Sequence, residues 1–123
     1  INNYKLVITD EEDLSGLPDN VISSASEMAG EKDEAGKWVF TVQKPSMLPF
    51  LTYSDRRDLR EELFTAYINL GNNNNEYDNK EIIKKMVNLR ARKSQLLGYE
   101  NHADYILEEN MAKEAGNVYD FLG

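Results

Sequence analysis

Apolar positions recur most regularly between Asn79 and Lys113, in the run NKEIIKKMVNLRARKSQLLGYENHADYILEENMAK. Ile82, Ile83, Met86, Val87, Leu89, Leu96 and Leu97 follow helical spacing, which places them on one broad stripe expected to be buried. Arg90 and Lys93 project into the same stripe, so each needs a carboxylate or carbonyl partner from a neighbouring segment. Gly98 stands where a helix leaves through a left-handed residue, and Asn101 is placed to cap a second helix running from His102 to Met111. The stretch is thus predicted as helix, turn, helix, and as the element on which the rest of the chain packs.

Upstream the pattern is more varied. Ile1 to Thr9, with LVIT at its centre, fits either a strand or the end of a helix. An acidic cluster, Asp10 to Asp13, precedes Leu14 and a Gly16-Leu17-Pro18 turn that sets Pro18 at the N-terminus of a helix reaching to about Ala29. Glu31 to Gly36 reads as a charged loop. Trp38 to Gln43, WVFTVQ, is rich in aromatic and β-branched residues and predicts a strand whose edges need pairing, with Ile1 to Thr9 or with another molecule. Pro45 to Tyr53 predicts a short helix, and Ser54 a cap for the next one, whose face carries Leu59, Leu63, Ala66, Tyr67 and Leu70. Arg56 and Arg60 edge that face near Asp58, Glu61 and Glu62, an arrangement for weak ion pairs. Gly71 and Asn72 to Asn75 predict a surface loop.

Composition narrows the class. With 123 residues and 41% hydrophobic content, the chain is long enough for one folded domain with a core, and mainly α. No apolar run approaches the roughly 18 residues of a membrane span, and the N-terminus lacks a signal pattern. A net charge of -8 and a pI near 4.6 argue against nucleic acid as a partner. The first 36 residues hold most of that excess, nine acids against Lys5 and Lys32, which reads as a solvated face.

Candidate chemistry is sparse. Cysteine is absent and histidine occurs once, so an ordinary His/Cys zinc site cannot be assembled. His102 is the one residue of the type suited to proton transfer or metal binding near neutral pH, but HADYI lacks the acid and second histidine of an H-E-x-x-H zinc helix; a packing role beside Tyr105 and Ile106 is the reading adopted. Glu11/Glu12, Glu61/Glu62 and Glu108/Glu109 are adjacent pairs that diverge by about 100° on a helix, which suits surface charge better than a shared proton or metal. Tyr67, Tyr77, Tyr99 and Tyr105 offer ligand contacts, yet aromatic residues at helical spacing are usually core. Neither a phosphate-binding glycine loop nor a nucleophile constellation is present. No catalytic and no metal-ligating residue is assigned, and substrate-binding residues are left unassigned.

One resemblance goes further than these residues do. The run LRARKSQLLGYENHADYILEENMAK resembles a segment of the thimet oligopeptidase and peptidyl-dipeptidase family of zinc metallopeptidases, in Leu89-Arg90, Leu96-Leu97-Gly98-Tyr99, Ala103-Asp104-Tyr105 and Met111-Ala112-Lys113. The likeness continues upstream through Leu14, Gly16-Leu17-Pro18, WVFTVQKPSMLPFL, Arg56, Leu59-Arg60 and Ala66. It implies a large helical enzyme with a deep channel, in which an H-E-x-x-H helix and a later glutamate hold zinc and the motif glutamate acts as general base. The chain resembles the region before that motif, so no family active-site residue is carried over. His102 resembles a non-ligand histidine of the oligopeptidase branch, whereas WVFTVQKPS leans toward the peptidyl-dipeptidase branch.

The expectation is therefore a single helical fragment, 1–123, with one short strand near 38–43. It begins at Ile1 and stops after VYDFL, and reads as a piece of a longer peptidase that cuts short oligopeptides and removes C-terminal dipeptides. Zinc is expected in the parent enzyme and none in this piece, oligopeptides as parental substrates, no nucleic acid or membrane partner, self-association, and a cytoplasmic location with the periplasm as alternative. A free-standing helical module, binding a partner helix or peptide in a groove between 55–70 and 80–97, is the alternative function.

Overall fold

The strand expected in WVFTVQ forms as β2 (Trp38–Thr41) and pairs antiparallel with β1 (Lys5–Ile8), which settles the upstream run as a strand. The structure, a computed structural model, describes residues 3–123; Ile1 and Asn2 of that run lie outside the described residues. It is mainly α, with 58% of the described residues helical. The chain divides into two compact units, Ile1–Asp78 and Asn79–Gly123.

In the first unit the order is β1, a 3-10 turn (Glu11–Leu14), α1 (Asp19–Glu31), β2, α2 (Lys44–Tyr53) and α3 (Arg57–Ile68). The register sets Leu6 opposite Phe40 and Ile8 opposite Trp38, so strand alternation turns Leu6, Ile8 and Phe40 to one side together. Val39 points the other way and is also buried, so β2 is covered on both faces. Helix α1 packs on β2, and α2 packs on both β2 and α3. The Phe40 and Phe50 rings meet at 4.5 Å and 52° at the centre, with Leu14, Leu17, Ala25, Met47 and Leu63 around them. Truncating either phenylalanine to alanine costs about 3–5 kcal/mol by the usual cavity arithmetic.

The acidic cluster forms a 3-10 turn that keeps Glu11 and Glu12 exposed, as a solvated face requires, and tucks Leu14 into the core. Two local expectations change here. Ser54 does not cap α3: Arg56 occupies the N-cap position, and the Ser54 hydroxyl accepts the Arg56 N–H at 3.2 Å, closing the bend between α2 and α3 instead. Leu70 lies beyond the end of α3 and is exposed, while Leu59, Leu63, Ala66 and Tyr67 do face the core.

The second unit holds α4 (Lys80–Leu96), α5 (His102–Leu107) and α6 (Ala115–Leu122). Gly98 takes the expected left-handed conformation at φ 88, and the Asn101 side chain accepts the Asp104 N–H at 3.0 Å as the cap of α5. Helix α5 ends four residues before the expected Met111. The Asn110 side chain donates to the Ile106 carbonyl, and its own N–H goes back only three residues, to Leu107, so the α-pattern stops. The larger correction concerns the α4 stripe. Ile82, Ile83, Met86, Val87, Leu89, Leu96 and Leu97 are all exposed, Leu96 at 85%, and the core around which the described chain is built lies in the first unit. Spacing reports that a helix has an apolar face; it does not report whether this stretch of chain supplies the cover.

Candidate functional site

The second unit carries the hollow nearest to the histidine. Helices α5 and α6 enclose about 380 Å³ between Ala103, Ile106 and Leu107 on one side and Ala115, Val118 and Tyr119 on the other, with His102 at the rim. His102 opens α5, its ring centroid 6.2 Å from that of Tyr105, which is the packing neighbour the sequence indicates. Its Nδ1 is buried and has no hydrogen-bond partner among the described residues. The walls are mainly apolar and the opening is wide, a surface for apolar side chains rather than for a reaction. Val118 and Tyr119 belong to the apolar VYDFL run, which reads from the sequence as the start of a further packed helix and forms part of α6.

Around this hollow the tyrosines act on one another and on charges. Tyr99 and Tyr105 meet edge to face at 5.3 Å, and the Lys93 ammonium sits 4.7 Å above the Tyr105 ring. Lys93 therefore finds an aromatic face where a carboxylate or carbonyl partner was expected. The Tyr99 hydroxyl donates to Glu108, a bond that raises its pKa. Tyr67 packs at the edge of the first unit's core, and Tyr77 is exposed.

The carboxylate pairs stay apart. Glu11 and Glu12 are exposed on the 3-10 turn; Glu61 and Glu62 are exposed on α3, where Glu62 accepts the Tyr4 hydroxyl at 2.9 Å; Glu108 and Glu109 follow α5. Among the described residues no three His, Cys, Asp or Glu side chains converge closely enough to hold a metal ion. One histidine and no cysteine are also the wrong donor set for zinc, so the zinc that the resemblance implies does not fit these residues. No nucleophile, base and orienting group come together in the geometry above.

The strongest electrostatic cluster is structural and lies in the first unit. Arg56 pairs with Asp13 and, at 2.6 Å, with Asp58; its hydrogen bond holds Asp58 at about 2. Arg60 donates to the Ser54 carbonyl. Glu34 accepts Lys37 and Lys5, in that order of effect, and is held at about 2. These pairs tie the 3-10 turn to the α2–α3 bend and β1 to the loop before β2.

Comparison with known proteins supplies what the side chains do not. Residues 50–123 match Peptidase family M3. Oligopeptidase A of Salmonella typhimurium is 38% identical over 120 residues, 94% of this chain and 18% of that protein. Oligopeptidase A of Escherichia coli is 37% identical over the same shares, and dipeptidyl carboxypeptidase of Escherichia coli is 31% identical over 95% of this chain and 17% of its own length. The chain thus spans less than a fifth of the curated relatives it matches.

Proposed function

This chain belongs to peptidase family M3, and on that premise we propose that its 123 residues form a wall segment of a longer zinc-dependent metallopeptidase that hydrolyses short oligopeptides. The observation that carries the reading is the extent of the likeness: it runs through 94% of the chain at 38% identity yet occupies 18% of the relative. A likeness of that kind fits a structural stretch of a larger enzyme. In this reading the metal and the general base belong to polypeptide outside these residues, and the helices here shape and support the cleft in which substrate lies. The higher identity to proteins named oligopeptidase A, against 31% to one named dipeptidyl carboxypeptidase, favours general oligopeptide cleavage over strict removal of C-terminal dipeptides. No helix among the described residues is long and apolar enough to cross a membrane. A cytoplasmic working place, with the periplasm as alternative, belongs to the same proposal.

The test is a graft. The matched segment of Escherichia coli oligopeptidase A is replaced by this chain, and hydrolysis of a short peptide is measured. A folded chimera with chelator-sensitive activity supports the reading; a chimera that folds and loses all activity, or never folds, refutes it.

A further inference from the structure

Three helices stand in the second unit, and among the described residues Ser94 is its one buried side chain. Every position from Lys80 to Arg90 is exposed, although this part of α4 holds Ile82, Ile83, Met86, Val87 and Leu89. An amphipathic helix of this length is marginal in water by itself and draws its stability from covering its apolar face. Contiguous exposed apolar surface on this scale marks an interaction site.

The chemistry of the face limits what can cover it. Arg90 lies four residues after Met86 and seven after Ile83, which places it in the middle of the apolar arc, and no carboxylate among the described residues pairs with it. A second copy packed symmetrically on this helix would set Lys84, Lys85, Arg90, Arg92 and Lys93, with Glu81 the one acid on α4, against the same set, a repulsive arrangement. A bilayer surface suits basic residues that flank an apolar face, but Arg90 would be carried into the acyl region. A protein surface with an acid opposite Arg90 satisfies both the apolar and the cationic requirement.

Resting on the function proposed above, we infer that the face of α4 formed by Ile82, Ile83, Met86, Val87 and Leu89 docks onto polypeptide of the same peptidase outside these 123 residues, through an apolar surface that presents a carboxylate to Arg90. The more than four-fifths of the relatives' length that this chain does not match is the source of that cover.

Hydrogen exchange on the oligopeptidase A graft tests this separately from function. In the folded, active chimera the amides of residues 83–93 are expected to exchange ~100-fold or more slowly than in the chain alone, as for helices drawn into a cooperative unit. A Val87→Cys substitution gives a second readout: mass-resolved thiol labelling at that position is expected to slow by a similar factor on grafting. Replacing Arg90 by Glu is expected to remove the protection, and Arg90→Lys to keep most of it. An active chimera in which α4 exchanges and labels as fast as in the free chain overturns the docking while leaving the proposed function standing. Protection that arises only on dimerisation, or only on adding anionic phosphatidylserine vesicles, overturns it equally. A graft that never folds takes both proposals down together.

Discussion

Ser15 and Asp55 hold each other twice: the Asp55 N–H donates to the Ser15 carbonyl at 2.9 Å, and the Ser15 hydroxyl donates to the Asp55 carboxylate at 2.7 Å. Forty residues separate them in sequence, so this pair of hydrogen bonds fastens the turn before α1 to the bend between α2 and α3. Gly16 lies directly under the clasp at φ +84, and a Cβ there would come within 2.2 Å of the Tyr53 carbonyl oxygen. Arg56, drawn to Asp13 and Asp58, closes the same junction from its other side.

Gly16→Ala is accordingly expected to lower the stability of the chain by at least about 2 kcal/mol, combining left-handed strain with a backbone overlap. Gly30, inside α1 with open space where a Cβ would go, is the matched control. Gly30→Ala is expected to raise stability by about 0.5–1 kcal/mol. Urea denaturation of both variants checks the pair, and equal effects would contradict the clasp.

Acid sensitivity follows from two depressed carboxylates. Glu34, ordinarily at 4.5, is held at about 2 by Lys37 and Lys5, and Asp58, ordinarily at 3.8, at about 2 by Arg56. A group whose pKa falls on folding stabilises above its unfolded value and loses that contribution as pH drops toward the folded one. Thermal midpoints should therefore fall between pH 4.5 and about 2, and Glu34→Gln should flatten part of that fall. Both pairs are solvent-exposed, so the effect should be modest and should weaken in salt.

Tyr4 provides the opposite limb. Partial burial, then its bond to Glu62, raises the phenol above its ordinary 10.0. A group whose pKa rises on folding contributes fully below the unfolded value and loses that contribution as pH climbs. Ultraviolet titration should show a late-ionising tyrosine that Tyr4→Phe removes; an unchanged curve would contradict the Tyr4–Glu62 contact.

Much of this architecture can be read from the residues, and the failures share a cause. The strand at WVFTVQ, the Pro18 start of α1, the Leu59 to Tyr67 face, the Gly98 exit and the Asn101 cap follow from local chemistry and recur in the structure. What misled was burial: Ile82 to Leu97 have the spacing of a core helix, yet the core forms from Leu6, Phe40, Phe50 and Leu63, which come from four short elements that no single periodic run brings together. The Ser15–Asp55 clasp joins residues forty apart, a pairing that propensity and periodicity do not register. For the candidate site the residues give little, and family membership came from ordered landmarks rather than from any reactive group.

Exposed Tyr119, Phe121 and Leu122 on α6, with Phe121 at 88%, should make the isolated chain associate as its concentration rises. Sedimentation velocity over a concentration series checks this. Phe121→Lys should reduce the association; a strict monomer at every concentration would contradict the open α6 face.

The central claim is that these helices support a reaction whose metal and base lie elsewhere in the polypeptide. The direct measurement is hydrolysis of a fluorogenic oligopeptide by the purified 123-residue chain, with zinc supplied and then chelated, beside the oligopeptidase A graft. The account predicts no turnover by the chain alone and zinc-dependent turnover by the graft; chelator-sensitive cleavage by the 123 residues alone would contradict it.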